Sequence, residues 1–403
     1  MMPTLKPFRP LLLPLLLAAC GTSRSLPAGN FRIRVDTLLS ESAAQYKVLA
    51  QTLPAGRLPR NWDPKTGKLN TSGSEWWCSG FYPGTLLYLY EATKDTALYR
   101  EAMRVLPLLE KEQYNKGTHD LGFMMFCSYG NALRIAPRPG YEDILVQSAR
   151  SLATRYSPVT RSIRSWNSNK EEFLVIIDNM MNLELLFWAA RKTGDTSLRN
   201  IAITHANTTM ANHFRPDGSS YHVLNYDEKT GAVKQKRTAQ GYADASAWAR
   251  GQAWGLYGYT VMYRETREAR YLDQAQRIAK FLLNHPRLPA DGIPYWDFDA
   301  PDIPAAPRDA SAGAIMASAL LELAGYVDAN EAGHFRSRAE KILLTLSGAE
   351  YRAAPGANGG FLLKHSVGHL PAKSEVDVAI SYADYYYIEA LLRYRASGYS
   401  KDD

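Results

Sequence analysis

The sequence predicts an all-α fold, six helical hairpins closed into an (α/α)6 barrel, and three observations carry that expectation. Beyond Arg32, about twelve segments repeat apolar residues near i, i+3, i+4 and i+7, the spacing of amphipathic helices. Several begin at similar polar corners, and five long non-helical stretches separate them. Such corners also occur in solenoids, where the period is fixed near about 34 to 47 residues. Here the segments at Asp95, Asp195 and Ala269 are 100 and 74 residues apart, an irregularity that favours a closed ring over an open array.

In chain order the segments begin near Asp36, Ser79, Asp95, Gly122, Tyr141, Asp178, Asp195, Ala245, Ala269, Asp309, Asn330 and Val378. The first follows a short tether containing Pro27 and Gly29, and the second a tight turn, Cys78-Ser79-Gly80, with Pro83 in its opening stretch. Asp95-Thr96-Ala97-Leu98 caps the third and turns Leu98 and Ala102 toward a neighbour, a pattern repeated by Asp195-Thr196-Ser197-Leu198 and echoed by Tyr271-Leu272-Asp273-Gln274-Ala275. The fourth follows Asp120, the sixth is delivered by the apolar run Phe173 to Ile177, and the eighth is rich in Gly and Ala around Trp248 and Trp254. The non-helical stretches are Gln51 to Glu75, Ser157 to Phe173, Phe214 to Asp244, Asn284 to Arg308 and Gly348 to Asp377. They hold most of the unusual polar and aromatic clusters, as expected when loops carry function on a helical scaffold.

The N-terminus is set apart from this body. Lys6 and Arg9 precede the apolar stretch Leu11 to Leu17 and then Leu17-Ala18-Ala19-Cys20, the pattern of a bacterial lipoprotein signal. The run is far shorter than the roughly 20 residues a membrane-spanning helix needs. The expected organisation is a signal over residues 1–19, a lipid-bearing Cys20 opening a tether over 20–30, and one catalytic domain over 31–403. The chain is then exported, facing the periplasm or the cell surface, and meets the membrane only through its lipid. Removing the leader, with Lys6 and Arg9, lowers the formal charge from +7 to +5. That modest excess favours anionic ligands, while the absence of a Lys/Arg-rich block or finger spacing argues against nucleic acid. A hydrophobic fraction of 46% excludes a disordered chain, and 25 Tyr with 8 Trp supply flat faces suited to sugar rings. Cys78 and Cys127 are expected as free, buried thiols, and no metal-ligand spacing or cofactor motif occurs.

Three clusters bear chemistry. In Asp178-Asn179-Met180-Met181-Asn182, an apolar run delivers a carboxyl group to a helix start, with Asn182 one turn later. The segment leaves two readings open, an N-cap or a desolvated proton donor with a raised pKa. Thr118-His119-Asp120 is by itself a capped helix start, and gains interest as a second carboxylate, since glycosidic chemistry uses two about a sugar ring. Lys236 to Tyr257 contains Thr238, Gln240, Trp248, Arg250 and Trp254, where an Arg fork and Trp faces describe a uronic-acid site, or else a closely packed small-residue helix. Trp76-Trp77 and Tyr221-His222 are either a sugar-stacking wall or local structure.

Together these segments, from about Trp76 to Tyr387, resemble the unsaturated glucuronyl hydrolases of glycoside hydrolase family 88. The resemblance implies an (α/α)6 barrel acting without metal or cofactor on oligosaccharides that end in a 4,5-unsaturated uronic acid. It assigns Asp178 as proton donor and Asp120 as partner carboxylate, often labelled nucleophile. His119, His222, Gln240, Arg250 and Trp254 match substrate-contacting positions, and Trp77 falls in the matching wall. Thr238 and Trp248 lie in the same cluster, and Lys236 could meet an anionic group. In the C-terminal loop Ser366 fits the pattern of members acting on sulfated substrates, but His369 and Pro371 stand where Ser and Lys are expected. An unsaturated rhamnogalacturonyl hydrolase and a non-catalytic glycan-binding lipoprotein are the competing readings.

Overall fold

The computed structural model describes residues 31–167 and 171–397, so the expected leader, Cys20 and the tether lie outside the described residues. Among those residues the helices alternate between two concentric rings. α1 (Phe31–Thr52) is outer and α2 (Phe81–Thr93) inner, and α3 (Thr96–Val105), prolonged by a 3-10 segment over Leu106–Tyr114, is outer. A π-helical segment, Gly122–Gly130, runs into α4 (Asn131–Ile135) on the inner ring, with α5 (Tyr141–Ala153) outside it. A 3-10 turn, Ile177–Asn182, continues into inner α6 (Leu183–Thr193), which α7 (Thr196–His213) backs. Inner α8 (Ala249–Thr266) pairs with outer α9 (Ala269–Asn284), inner α10 (Ala310–Leu323) with outer α11 (Ala329–Leu346), and inner α12 (Ser381–Ala396) with α1. Each inner member packs on the next and α12 returns to α2, which closes the (α/α)6 barrel.

Composition separates the rings. Every residue of α8 from Ala249 to Met262 is buried, as befits a helix walled on all sides. Outer α9 buries one stripe, Tyr271, Gln274, Ala275, Ile278, Ala279, Leu282 and Leu283. The corners predicted at Asp95 and Asp195 are N-caps, accepting from Ala97 N and Ser197 N, both at 2.9 Å. Cys78 and Cys127 are free, Cys78 buried and Cys127 half-buried, and burial pushes the Cys78 thiol up to about 12, which leaves it inert.

The corners from inner to outer helices are short, whereas the long connections all lead from an outer helix to the start of an inner one. Every long loop therefore reaches one mouth of the barrel, where the inner helices present their N-termini. Within these loops the structure places nine short strands that the helical reading of the sequence did not anticipate. These are β1 (Leu58–Asp63), β2 (Lys68–Ser72), β3 (Tyr156–Ser157), β4 (Ser162–Ile163), β5 (Phe173–Ile176), β6 (Val223–Tyr226), β7 (Val233–Arg237), β8 (Ser366–His369) and β9 (Ser374–Ile380). They form antiparallel sheets in the orders β2-β1-β9-β8, β3-β4 and β5-β6-β7. In the third, Ile176 pairs with Val223 and Val223 with Arg237, so the residue after β5 and the residue before β6 emerge together at the mouth.

Candidate active site

Those two residues are neighbours of the chemistry. Ile177 donates its N–H to the His222 carbonyl at 3.1 Å, which puts Asp178 and His222 side by side, with His222 Nε2 3.8 Å from Asp178 Oδ2. Asp178 does not cap its helix; the cap position is Ile176 and no side chain fills it. Asp178 is 8% exposed, and its Oδ2 is buried with no hydrogen-bond partner among the described residues. Burial is the largest influence on it, opposed by Arg250 and reinforced by Asp120, and together they raise the Asp178 pKa to about 7. Of the two readings the sequence left open, the desolvated acid matches this geometry.

Asp120 precedes the π-helical segment and likewise caps nothing. Its Oδ2 accepts from the Thr118 hydroxyl at 2.7 Å and its Oδ1 lies 3.3 Å from His119 Nε2. Asn182 fastens the two carboxylate segments together, its Oδ1 accepting from Phe123 N at 3.0 Å. The approach is tight enough that a Cβ on Gly122 would lie 2.7 Å from that same oxygen. Asn179 instead donates to Ile163 O at 2.8 Å. Both asparagines thus orient the backbone around Asp178 rather than its carboxyl group.

Both histidines are buried and held neutral. Burial lowers the His119 pKa against the pull of Asp120, and drives that of His222 far down with help from Arg250. The tautomer of His222 follows from its partners. Nδ1 accepts the backbone N–H groups of Ala239 at 3.1 Å and Gln240 at 3.2 Å, so the proton sits on Nε2, which has no partner and faces Asp178.

The aromatic wall surrounds this pair. Trp248 stacks on His222 with centroids 4.5 Å apart, and Trp254, fully buried with its indole N–H unpartnered, meets Phe123 at 5.0 Å. Trp77 leans on Tyr382 at 4.9 Å and on Phe123 at 5.5 Å. The Arg250 guanidinium lies 4.6 Å from the Trp248 ring and 5.3 Å from Tyr382. Its fork, expected to meet a substrate carboxylate, is engaged within the protein: Nη1 bonds Asp309 at 3.2 Å and the Val367 carbonyl, and Nη2 bonds the Gly368 carbonyl at 2.6 Å. Gln240 Nε2 reaches the same Gly368 carbonyl at 3.0 Å, and His369 Nε2 reaches Ala239 O at 2.8 Å. Arg250 therefore binds β8 to α8, and Gln240 binds it to the loop before α8. Ser366 is buried in β8 with its hydroxyl unpartnered, and the Thr238 hydroxyl accepts from Gly241 N at 2.8 Å.

Lys236 is not brought to this cluster. It is exposed on β7, donates to Asn212 O on α7 at 2.6 Å and lies 4.9 Å over Tyr221, because its cross-strand partner Leu224 belongs to the sheet face that packs with Tyr221, opposite the face of Val223 and Trp166. Sequence reasoning missed four neighbours: Asp309, read only as a helix start, Tyr382, Arg155, and Trp166, which meets His222 edge-on at 6.0 Å. A separate cavity of about 390 Å³ is lined by Tyr88, Tyr257, Glu184, Glu389 and Arg393 but by neither aspartate nor histidine of the site. Its Glu389 is already satisfied by Tyr88, Tyr257 and Ser318. Among the described residues no group of three or more His, Cys, Asp or Glu is placed to hold a metal ion, and no helix is long and apolar enough to cross a membrane.

The arrangement combines a buried acid, a second carboxylate, neutral imidazoles and aromatic faces, which suits proton transfer to a sugar ring. Comparison with known proteins agrees. Residues 55–387 match the family model Glycosyl Hydrolase Family 88. The chain is 45% identical over 350 residues to an unsaturated glucuronyl hydrolase of Formosa agariphila, covering 86% of this chain and 87% of that one. It is 32% identical to an unsaturated chondroitin disaccharide hydrolase of Streptococcus pyogenes, covering 79% and 81%. Among solved structures, an unsaturated glucuronyl hydrolase specific for heparin superposes with a TM-score of 0.88 at 47% identity, covering 91% and 98%. The enzyme of Bacillus sp. GL1, described as responsible for glycosaminoglycan degradation, gives 0.84 at 30% identity, covering 89% and 96%.

Proposed function

We propose that this chain, which belongs to glycosyl hydrolase family 88, releases the 4,5-unsaturated uronic acid from the non-reducing end of lyase-generated oligosaccharides by hydrating its C4=C5 enol ether. The observation that carries the reading is the Asp178 carboxyl, which stays protonated up to about pH 7 beside Asp120 and a neutral His222. Asp178 gives its proton to C4, and positive charge develops at C5 and the ring oxygen. Asp120 and the faces of Trp248 and Trp254 stabilise that charge. Water adds to C5 and returns its proton to the carboxylate left on Asp178. The hemiketal opens to a C5 ketone, freeing the ring oxygen as a C1 hydroxyl, and collapse at C1 to the aldehyde expels the neighbouring sugar. His222 Nε2–H, aimed at the same place, holds a substrate oxygen, and Trp77, His119 and Gln240 line the approach.

Loss of the ultraviolet absorbance of the conjugated enoate tests this. Wild-type protein is expected to remove it from lyase-generated disaccharides, and Asp178→Asn to bind them without removing it. An undiminished rate in that variant overturns the role of Asp178, and binding by wild type without loss supports a glycan-binding protein instead. Heparin-derived disaccharides are the first substrate to try, supported by the 47% identity to the heparin-specific hydrolase. Faster turnover of chondroitin products would redirect that choice. Leu17-Ala18-Ala19-Cys20 supports an exported lipoprotein, facing the periplasm or the cell surface. Cys20→Ser is expected to leave the membrane fraction, and retention there would refute the anchor.

A further inference from the structure

We infer that Arg155, an outer-ring residue just beyond α5, is a positioning residue that sets the spacing of the two site carboxylates. The inference rests on the assignment of Asp120 and Asp178 to the reaction. Arg155 is 8% exposed, and each of its hydrogen bonds goes to a neutral acceptor. Nη1 donates to Lys116 O at 2.6 Å, in the loop that ends with His119 and Asp120. Nε donates to Arg164 O at 2.8 Å, and Nη2 to Ser165 O at 3.1 Å and Asn167 Oδ1 at 3.0 Å, all in the segment that follows β4.

That second segment frames Asp178. Ser165 Oγ accepts from Ile176 N at 3.0 Å, Ile163 O accepts from Asn179 at 2.8 Å, and Trp166 stands edge-on to His222. One planar guanidinium thus spans the backbone leading to Asp120 and the backbone bracing both sides of Asp178, a geometry that a point-charge ammonium cannot reproduce. Among the described residues the buried cation has no carboxylate in hydrogen-bond contact; burial and Arg164 work against its charge, and Asp120 is the anion that supports it. The other titratable groups around Asp120 are His119 on its own loop and Asp178 from the 3-10 turn, while Arg164, beside Arg155, is paired with Glu228. His119, which burial holds neutral against the pull of Asp120, is pushed the same way by Arg155.

The experiment measures kcat and KM on an unsaturated disaccharide for Arg155→Gln, Arg155→Lys and Asn167→Ala. Misplacement of reacting groups by about 1 Å costs on the order of a hundredfold, so Arg155→Gln is expected to lose about that much in kcat with KM changed less than about threefold. Arg155→Lys, which keeps the charge but not the planar fork, is expected to stay low in kcat with KM near wild type. Asn167→Ala, at an exposed position, keeps the guanidinium but removes one of its acceptors, so kcat is expected to fall severalfold with KM near wild type even if Arg155→Gln fails to fold. An unchanged kcat in Asn167→Ala, or a folded Arg155→Gln with wild-type kcat, overturns the inference. Asp120→Asn run alongside separates the causes: if that variant is fully active the carboxylate assignment fails, whereas if it is inactive and the Arg155 variants are normal, only the role of Arg155 fails.

Discussion

Replacing Asp178 by Asn should stabilise the fold in a pH-dependent manner. The Asp178 carboxyl rises from an ordinary value of 3.8 to about 7, chiefly through burial. The folded state therefore binds this proton more tightly than the unfolded state, so Asp178 costs nothing by ionisation below the unfolded value. The cost grows as pH rises between the two values and is complete above the folded one. At about 1.4 kcal/mol for each tenfold in proton affinity, the full difference is about 4 kcal/mol. Part of it depends on the charge of Asp120, so a span of about 2 to 4 kcal/mol is expected. Asn cannot ionise, and whatever its amide gains or loses in packing is the same at every pH. Urea unfolding of wild type and variant at several pH values between about 4 and 8 isolates the ionisation, as the difference in unfolding free energy should widen steadily toward neutrality and then level off. A difference that stays flat over that range would refute the reasoning, since Asp178 would then have no raised pKa to relieve.

For the wild-type enzyme, the same proton makes kcat/KM fall as pH rises above about 7, with no second inflection from His222, which burial keeps neutral; activity that increases through pH 8 would exclude Asp178 as the donor. Asp309→Ala removes the one carboxylate bonded to the buried Arg250 guanidinium, and should cost about 3 to 5 kcal/mol in urea unfolding, with Asp309→Asn milder; a loss below about 1 kcal/mol would mean that the Val367 and Gly368 carbonyls suffice. Lys236→Ala should leave kcat/KM within about twofold, because this lysine faces α7, and a tenfold fall would place it in contact with substrate after all.

The helical scaffold was legible because periodicity reports burial on one side. All twelve segment starts lie within about five residues of a helix in the structure, and the Asp95 and Asp195 caps are where the corners placed them. The strands were not legible for a complementary reason: β3 and β4 are two residues each and β5 is an unbroken apolar run, so neither offers the alternation that marks a half-buried strand. The pairing of Asp120 with Asp178 came through resemblance, whereas what fixes it in space, Asn182 on Phe123 N and Arg155 across two loops, depends on contacts between residues 59 and 39 positions apart. Arg250 shows the cost of reading a side chain without its neighbours. Beside Trp residues it reads as a free fork for a uronate, but Asp309 and the β8 carbonyls engage that fork and leave its charge facing Asp178. The charge opposes the rise in the Asp178 pKa while burial and Asp120 promote it, so the value near neutrality is a balance among groups drawn from three inner members of the ring. That balance explains why closure of the barrel is a condition of the chemistry, since no single hairpin contains the groups that set it.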